Sequence, residues 1–448
     1  MSEPIISVSG LRGVIGESLT PEIAIRYIAA FAGTLPPGPI VVSRDGRATG
    51  PMIAAAVHSG LAAMGRMVID VGVAATPTLG VLVRERTAAG GVQISASHNP
   101  PQYNGLKLFG GDGRVLPADA GRPVLERYRS ALREWVSHEH IGRVTPLEDA
   151  TAEHLRLVLT TVDVRAIRKR RFRVLLDSNA GAGSILGRKL LEALGCEVTL
   201  LGGEASGEFL HPPEPTAENL AGVRHEVVAA GADVGFCQDP DADRLAVIDE
   251  GGRYFGEEYT LALCLDHVLG ERKGPIVTNC ATSRMAEDLA VKYGAAFHRS
   301  AVGEANVVDK MLEVEAVFGG EGNGGPIDPR VVLVRDSFVG MALILAAMTR
   351  RQKKVSELAD ELPHYEIRKS TVRLSGPLDS ATLDAVERHF SAARPDRLDG
   401  LRLDWPDRWL IVRGSNTEPI VRIIAEAPSA ALADDLVAEC GKVVAGAG

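Results

Sequence analysis

The most reactive grouping in this chain is Ser97-His98-Asn99-Pro100, inside the run Ile94 to Phe109. Proline biases the residue before it away from the helical region. Pro101 and Asn104-Gly105 extend the irregularity, so the stretch reads as a loop carrying a hydroxyl, an imidazole and, at Lys107, an ammonium. A hydroxyl flanked by a base and a cation suits a nucleophile or phosphoryl acceptor. The second grouping is Cys237-Gln-Asp-Pro-Asp-Ala-Asp-Arg244, in which Asp239, Asp241 and Asp243 alternate and Pro240 favours an extended backbone. Three carboxylates between two apolar runs would repel one another without a cation, and hard oxygen ligands suit Mg²⁺. A solvated acidic turn is the plainer alternative. An EF-hand fits poorly, because Arg244 stands where that loop needs glycine and the flanks read as strands. A haloacid-dehalogenase-type phosphatase would instead use the first aspartate as nucleophile.

Two further loops carry recognition chemistry. In Phe318-Gly-Gly-Glu-Gly-Asn-Gly-Gly-Pro326 the glycines let a ligand approach the backbone and leave Glu321 and Asn323 as the polar arms. A carboxylate and an amide match vicinal sugar hydroxyls, although such a loop is also a common structural turn. In Val412-Arg-Gly-Ser-Asn-Thr-Glu-Pro-Ile-Val-Arg422, Ser415, Asn416 and Thr417 offer hydroxyl and amide donors between Arg413 and Arg422. Forked cations around such a turn resemble an anion nest; a plain turn between two strands is the alternative. Near the N-terminus, Ser9-Gly-Leu-Arg-Gly13 reads as a surface turn from which Arg12 could reach a phosphorylated serine.

These loops need elements to hold them, and a weak repeat supplies the pattern. Pro39 to Gly46 reads as a buried strand running into a polar loop, followed by a helix to Gly65 and a strand from Met67 to Gly72. The same order recurs from Phe172 to Leu201, and again from Pro275 through a helix at 283–294 to a strand near 295–298. Strand, polar loop, helix ending in glycine and strand again is the grammar of an α/β layer. Residues 116–134 read as a long, mostly helical connector, and 137–140 as an exposed turn. The basic run 165–173 reads as a solvated helix end. From His364 strands and helices alternate differently, as in a smaller α+β domain. The boundaries this suggests are 1–150, 151–252, 253–364 and 365–448.

With 448 residues the chain is too long for one core. A net charge of −9 argues against a general nucleic-acid or anionic-membrane binder, but an anionic small molecule answers to local cations instead. Five cysteines without C-x-x-C spacing read as free thiols in a reducing cytosol. No signal peptide is visible, and the apolar stretch 340–348 is too short to span a bilayer. The expectation is a cytoplasmic protein, monomeric or a homodimer, with no nucleic-acid or membrane partner.

The four loops, in this order, resemble the α-D-phosphohexomutase superfamily across nearly the whole chain. The resemblance implies three similar α/β domains with mixed sheets plus a smaller α+β C-terminal domain around a central cleft. It implies that Ser97 is phosphorylated, that His98 and Lys107 are its cationic neighbours, and that Arg12 and Arg244 belong to the active site. Asp239, Asp241 and Asp243 would be the Mg²⁺ ligands, with an oxygen on phosphorylated Ser97 completing part of the shell. Glu321 and Asn323 would hold sugar hydroxyls, and Arg413, Ser415, Asn416, Thr417 and Arg422 the phosphate that is not transferred. The activity implied interconverts a hexose 6-phosphate and 1-phosphate through a sugar 1,6-bisphosphate.

Many members carry Gly-Glu-x-Ser-Gly-His in the sugar loop, whereas this chain has Gly-Glu-Gly-Asn-Gly-Gly. That form is similar to phosphoglucosamine mutases and related mutases of archaeal type, which favours glucosamine phosphate over glucose or mannose phosphates. Residues 299–306 resemble the third-domain sugar loop. A phosphosugar phosphatase is a competing function, since the same loops could serve hydrolysis. A noncatalytic phosphosugar-binding protein is another, but it should have lost Ser97 or an aspartate.

Overall fold

The computed structural model describes residues 4–7, 10–130, 134–373, 378–414 and 420–447. Three α/β units and a smaller C-terminal unit follow one another along the chain. In the first, the strands Val68–Val73, Ile40–Arg44 and Gly90–Ile94 run parallel, and Tyr103–Gly110 returns antiparallel beside the last of them. The second places Glu197–Leu201, Arg173–Asp177 and Val234–Gln238 in parallel, with Leu245–Asp249 returning antiparallel. The third repeats the plan with Phe297–Ser300, Ile276–Asn279, Phe318–Glu321 and the returning Gly325–Ile327. Near-continuous apolar runs such as Val174–Leu176 are what strands buried on both faces require. Each repeat thus ends in a hairpin whose loop lies beyond the carboxyl end of a parallel strand, where open α/β sheets bind ligands.

Several local readings change. Asn104-Gly105 is no turn; it lies in the strand Tyr103–Gly110, paired on both sides, and Lys107 projects from that strand. A Cβ at Gly105 would stand 2.6 Å from the Leu11 carbonyl and 2.7 Å from that of Ser95. Glycine serves close strand approach there. Arg12, expected in a surface turn, lies on the strand Gly10–Val14, which extends the first sheet antiparallel to Tyr103–Gly110. The third repeat's last helix-following strand begins at Phe297, two residues later than read from the sequence. The stretch 116–134 holds the helix Ala118–Ser130, which packs on Pro21–Ala32 through Tyr27 and Tyr128. It is part of the first unit's shell.

The apolar stretch 340–348 belongs to the helix Ser337–Arg351, buried from Ser337 to Thr349 against Glu257–Glu271. Asp336 caps it, accepting from the backbone N–H groups of Phe338 and Val339. One apolar core runs through parts of the first three units, whereas the C-terminal sheet has its own core against Ser380–His389 and Ala430–Ala447. Among the described residues no helix is long and apolar enough to cross a membrane.

Candidate active site

Three hairpin loops in equivalent positions of the three repeats converge. The first, after Gly90–Ile94, carries Ser97 in a left-handed conformation (φ +50°), 1 % exposed. Holding a non-glycine residue there costs free energy unless the surroundings enforce it. Arg47 supplies much of that enforcement. Its buried guanidinium donates to the carbonyls of Ser97 (2.6 Å), Asn99 (2.6 Å), Pro100 (2.8 Å) and Tyr103 (3.0 Å), and to Asp45 Oδ2 (3.1 Å). Ser95 donates its hydroxyl to Asp45 Oδ2 and accepts the Ser97 N–H, both within 2.8 Å. Burial raises the Asp45 carboxyl to about 6 despite Arg47.

The second loop is the turn between Val234–Gln238 and Leu245–Asp249, with Ala242 left-handed (φ +55°). The extended run expected from Pro240 is therefore a tight turn, which folds the aspartates onto one another. One oxygen of each of Asp239, Asp241 and Asp243 lies within 4.8 Å of the other two, and all three residues are fully buried. The Ser97 hydroxyl donates to Asp239 Oδ2 at 2.7 Å, joining the first loop to the second. Thr76 and Lys107 donate to Asp241 Oδ2, and Lys107 donates also to Asp243 Oδ2 at 2.9 Å.

Burial disfavours the charged form of each aspartate. It prevails at Asp239, pushed well above the carboxylate range by burial and by its two acidic neighbours. Lys107 holds Asp241 below that range, and Arg335 with Lys107 does the same for Asp243. Asp241 Oδ1 and Asp243 Oδ1 are buried without a hydrogen-bond partner among the described residues. Orphaned acceptors of that kind are costly. Hard carboxylate oxygens with two free positions fit a divalent cation. The triad can hold one.

The first two loops bring the expected side chains together. Arg12 donates to Asn99 Oδ1 (3.2 Å), while the Arg244 backbone N–H donates to Asp239 Oδ1 (3.1 Å). Among the described residues the Arg244 guanidinium makes only long ion pairs, at 3.9 Å to Asp243 and Glu257. His98 lies 3.4 Å from the Ser97 hydroxyl, and burial and then the Arg244 and Arg12 guanidiniums push its imidazole down to about 3.

The third loop brings Glu321 to the end of Phe318–Glu321. Its carboxylate accepts from Asn279 Nδ2 (2.7 Å), the Gly303 N–H (3.1 Å), Arg335 Nη1 (3.0 Å) and Asn323 Nδ2 (3.4 Å). Asn323 Oδ1 is left without a partner among the described residues. In the C-terminal unit Arg413 and Arg422 are directly opposed across two antiparallel strands, so both side chains leave the same sheet face. Arg413 Nε lies 3.1 Å from Asp399 Oδ2, and Arg422 is exposed. Ser415, Asn416 and Thr417 lie outside the described residues.

Sequence reasoning missed Arg47, Asp45, Ser95, Thr76, Asn279, Glu304 and Arg335. Arg335-Asp336 offered a signal, as a charged pair interrupting the apolar run Val331 to Val339. Glu304 lies in the stretch 299–306 and Ser95 in the run Ile94 to Phe109, and Asp45 and Arg47 lie in or just after the polar loop of the first repeat, whereas Thr76 and Asn279 are single polar residues with no local pattern to mark them.

Known proteins share this order of domains. The phosphoglucomutase/phosphomannomutase α/β/α domains I, II and III match residues 5–133, 152–252 and 256–365, and the C-terminal domain matches 371–442. A Thermococcus kodakarensis protein named phosphoglucomutase/phosphomannomutase is 40 % identical over 94 % of each chain. A probable phosphoglucosamine mutase of Methanopyrus kandleri is 35 % identical over 96 % of this chain and 95 % of its own. Among solved structures, a phosphoglucomutase/phosphomannomutase family protein from Burkholderia thailandensis superposes with a TM-score of 0.86 at 26 % identity, covering 99 % of this chain and 98 % of that one.

Proposed function

Because the chain belongs to the phosphoglucomutase/phosphomannomutase family and is a phosphohexomutase, we propose that it works through phosphorylated Ser97, with Mg²⁺ on Asp239, Asp241 and Asp243. The observation that carries this reading is the Ser97 hydroxyl bonded to Asp239 beside two orphaned carboxylate oxygens. Mg²⁺ there would offset phosphoryl charge, and phosphoryl transfer depends mostly on positioning and electrostatics. The phosphoryl group leaves the Ser97 oxygen for the free hydroxyl of a hexose monophosphate, and the proton of that hydroxyl passes to the Ser97 oxygen in exchange. The resulting 1,6-bisphosphate turns over in the cleft and returns its other phosphoryl group to Ser97. Arg12, Arg244 and Lys107 surround the transferring group, and Arg413 and Arg422 share the face that receives the distal phosphate.

The substrate we favour is glucosamine phosphate. The Gly-Glu-Gly-Asn-Gly-Gly loop and the relatives named probable phosphoglucosamine mutase support it. The unpartnered Asn323 Oδ1 also suits a donor such as an ammonium. Glucose or mannose phosphate is the second reading, favoured by the name of the 40 %-identical relative. Kinetics with glucosamine, glucose and mannose phosphates, each with Mg²⁺ and the matching bisphosphate, test the ranking. A highest kcat/KM on glucose or mannose phosphate would overturn the favoured substrate, and measurable turnover by Ser97→Ala would overturn the mechanism.

A further inference from the structure

Arg335 occupies a position that nothing in the four loop motifs explains. Its side chain is nine-tenths buried, and each nitrogen that can donate faces a different carboxylate. Nη2 donates to Asp243 Oδ2 of the aspartate turn at 2.7 Å. Nη1 donates to Glu321 Oε2 of the glycine-rich loop at 3.0 Å, and Nε to Glu304 Oε2 at 3.2 Å. Glu304 also accepts the Arg335 backbone N–H through its other oxygen at 2.9 Å, so this carboxylate grips both ends of the residue. The next residue, Asp336, accepts on one side from the helix it caps and on the other meets His154 Nε2 at 2.8 Å. His154 in turn contacts Thr78 of the first unit. The backbone behind Arg335 is thereby fixed to the first two repeats.

We propose that Arg335 is a positioning residue that gauges the sugar-reading carboxylate Glu321 against the aspartate turn. A planar guanidinium holds its partners at set distances and angles, as a flexible ammonium does not. Two consequences follow for the reaction proposed above, on which this inference rests. Arg335 occupies Asp243 Oδ2 and Lys107 shares it, which leaves Asp243 Oδ1 as the oxygen free for a cation. It also occupies Glu321 Oε2, which orients that carboxylate. A sugar bisphosphate that must be gripped in two orientations needs the same separation between phosphoryl centre and sugar carboxylate each time. Arg335 sets that separation by donating to Glu321 on one side and to Asp243 on the other.

A positioning role and a merely structural one differ in the metal. Removing a cation bonded to a ligand carboxylate makes the field at the aspartates more negative, so Mg²⁺ affinity should hold or rise while sugar chemistry fails. The experiment takes purified full-length Arg335→Met and Arg335→Lys, measuring Mg²⁺ binding by calorimetry and kcat/KM in both directions. We expect kcat/KM to fall more than tenfold in both variants, with the Mg²⁺ dissociation constant of Arg335→Met tighter or within threefold of the parent. Mg²⁺ binding weakened more than threefold in Arg335→Met, or a smaller loss of kcat/KM in either variant, overturns the proposal. Should the two variants fail to fold, Glu304→Gln decides. It keeps Arg335 but loosens its anchor, and kcat/KM should fall at least threefold with Mg²⁺ binding kept within threefold. Failure of the mutase reading itself is distinguishable, because the unmodified protein would then show no turnover.

Discussion

Arg47→Met should unfasten the Ser97 loop. The thioether fills much of the guanidinium's volume but donates nothing, so four carbonyls and Asp45 each lose one donor, Asp45 keeping the Ser95 hydroxyl and the backbone N–H at position 47. Pro100 is exposed and Asn99 and Tyr103 are half-buried, so their carbonyls can turn to water. Ser97 and Asp45 are buried and cannot. A hydrogen bond to a charged group contributes roughly 1.5–3 kcal/mol. Two that cannot be replaced by water place the loss at about 3–6 kcal/mol, a large share of the roughly 5–15 kcal/mol that holds a typical domain folded. The chain has several units and need not unfold in one step, so the measurement is the first transition in urea, together with amide exchange across residues 95–105. Exchange there should rise well above that in the C-terminal unit, and kcat should fall because Ser97 no longer holds its left-handed conformation. A loss under 1 kcal/mol with unchanged kcat would refute the reasoning, since Arg47 would then be a spectator.

Asp45 titrates at about 6 in the fold, above its usual 3.8. The folded state therefore binds the extra proton between those values, and stability falls as pH rises from about 4 to about 6, then levels. Urea midpoints against pH should show that slope and lose it in Asp45→Asn; a slope persisting in the variant assigns it to another group. The Thr78–His154–Asp336 chain is fully buried, so His154→Ala should cost about 2–4 kcal/mol in the same transition by stranding two partners. An unchanged midpoint would show that this chain does not join the units. For recognition, Arg413→Ala should weaken all hexose phosphates by a similar factor, about 1.5–3 kcal/mol, whereas Glu321→Gln should change their ranking. The reverse pattern in steady-state kinetics reverses the assigned roles.

The parts of this molecule that were legible in the sequence are those set by short-range pattern. Val174–Leu176 and Ile276–Val277 announce buried strands because a two-faced strand must be apolar throughout. Gly294, left-handed after Met285–Tyr293, marks a helix end by its own backbone preference. What depended on partners distant in sequence was not legible. Asn104-Gly105 looks like a turn, and only the approach of Leu11 and Ser95 explains that glycine within a strand. His98 carries a base's side chain, but burial beside two arginines lowers its affinity for a proton. Arg335 is one arginine among many until Asp243 in its turn, Glu304 at a helix start and Glu321 at a strand end are seen to share it. Loop chemistry could be read as a list of residues; its geometry required the equivalence of the three hairpins.

The central claim is that Ser97 carries the phosphoryl group between sugars. It is tested most directly by loading the purified protein with a hexose 1,6-bisphosphate labelled in its phosphoryl groups, removing free sugar, and adding unlabelled hexose monophosphate with Mg²⁺. The account predicts label on the peptide containing Ser97, discharged at a rate at least equal to kcat into sugar bisphosphate and then monophosphate, and no label on Ser97→Ala. Label found on another residue, or a Ser97 label that discharges only to inorganic phosphate, would contradict it.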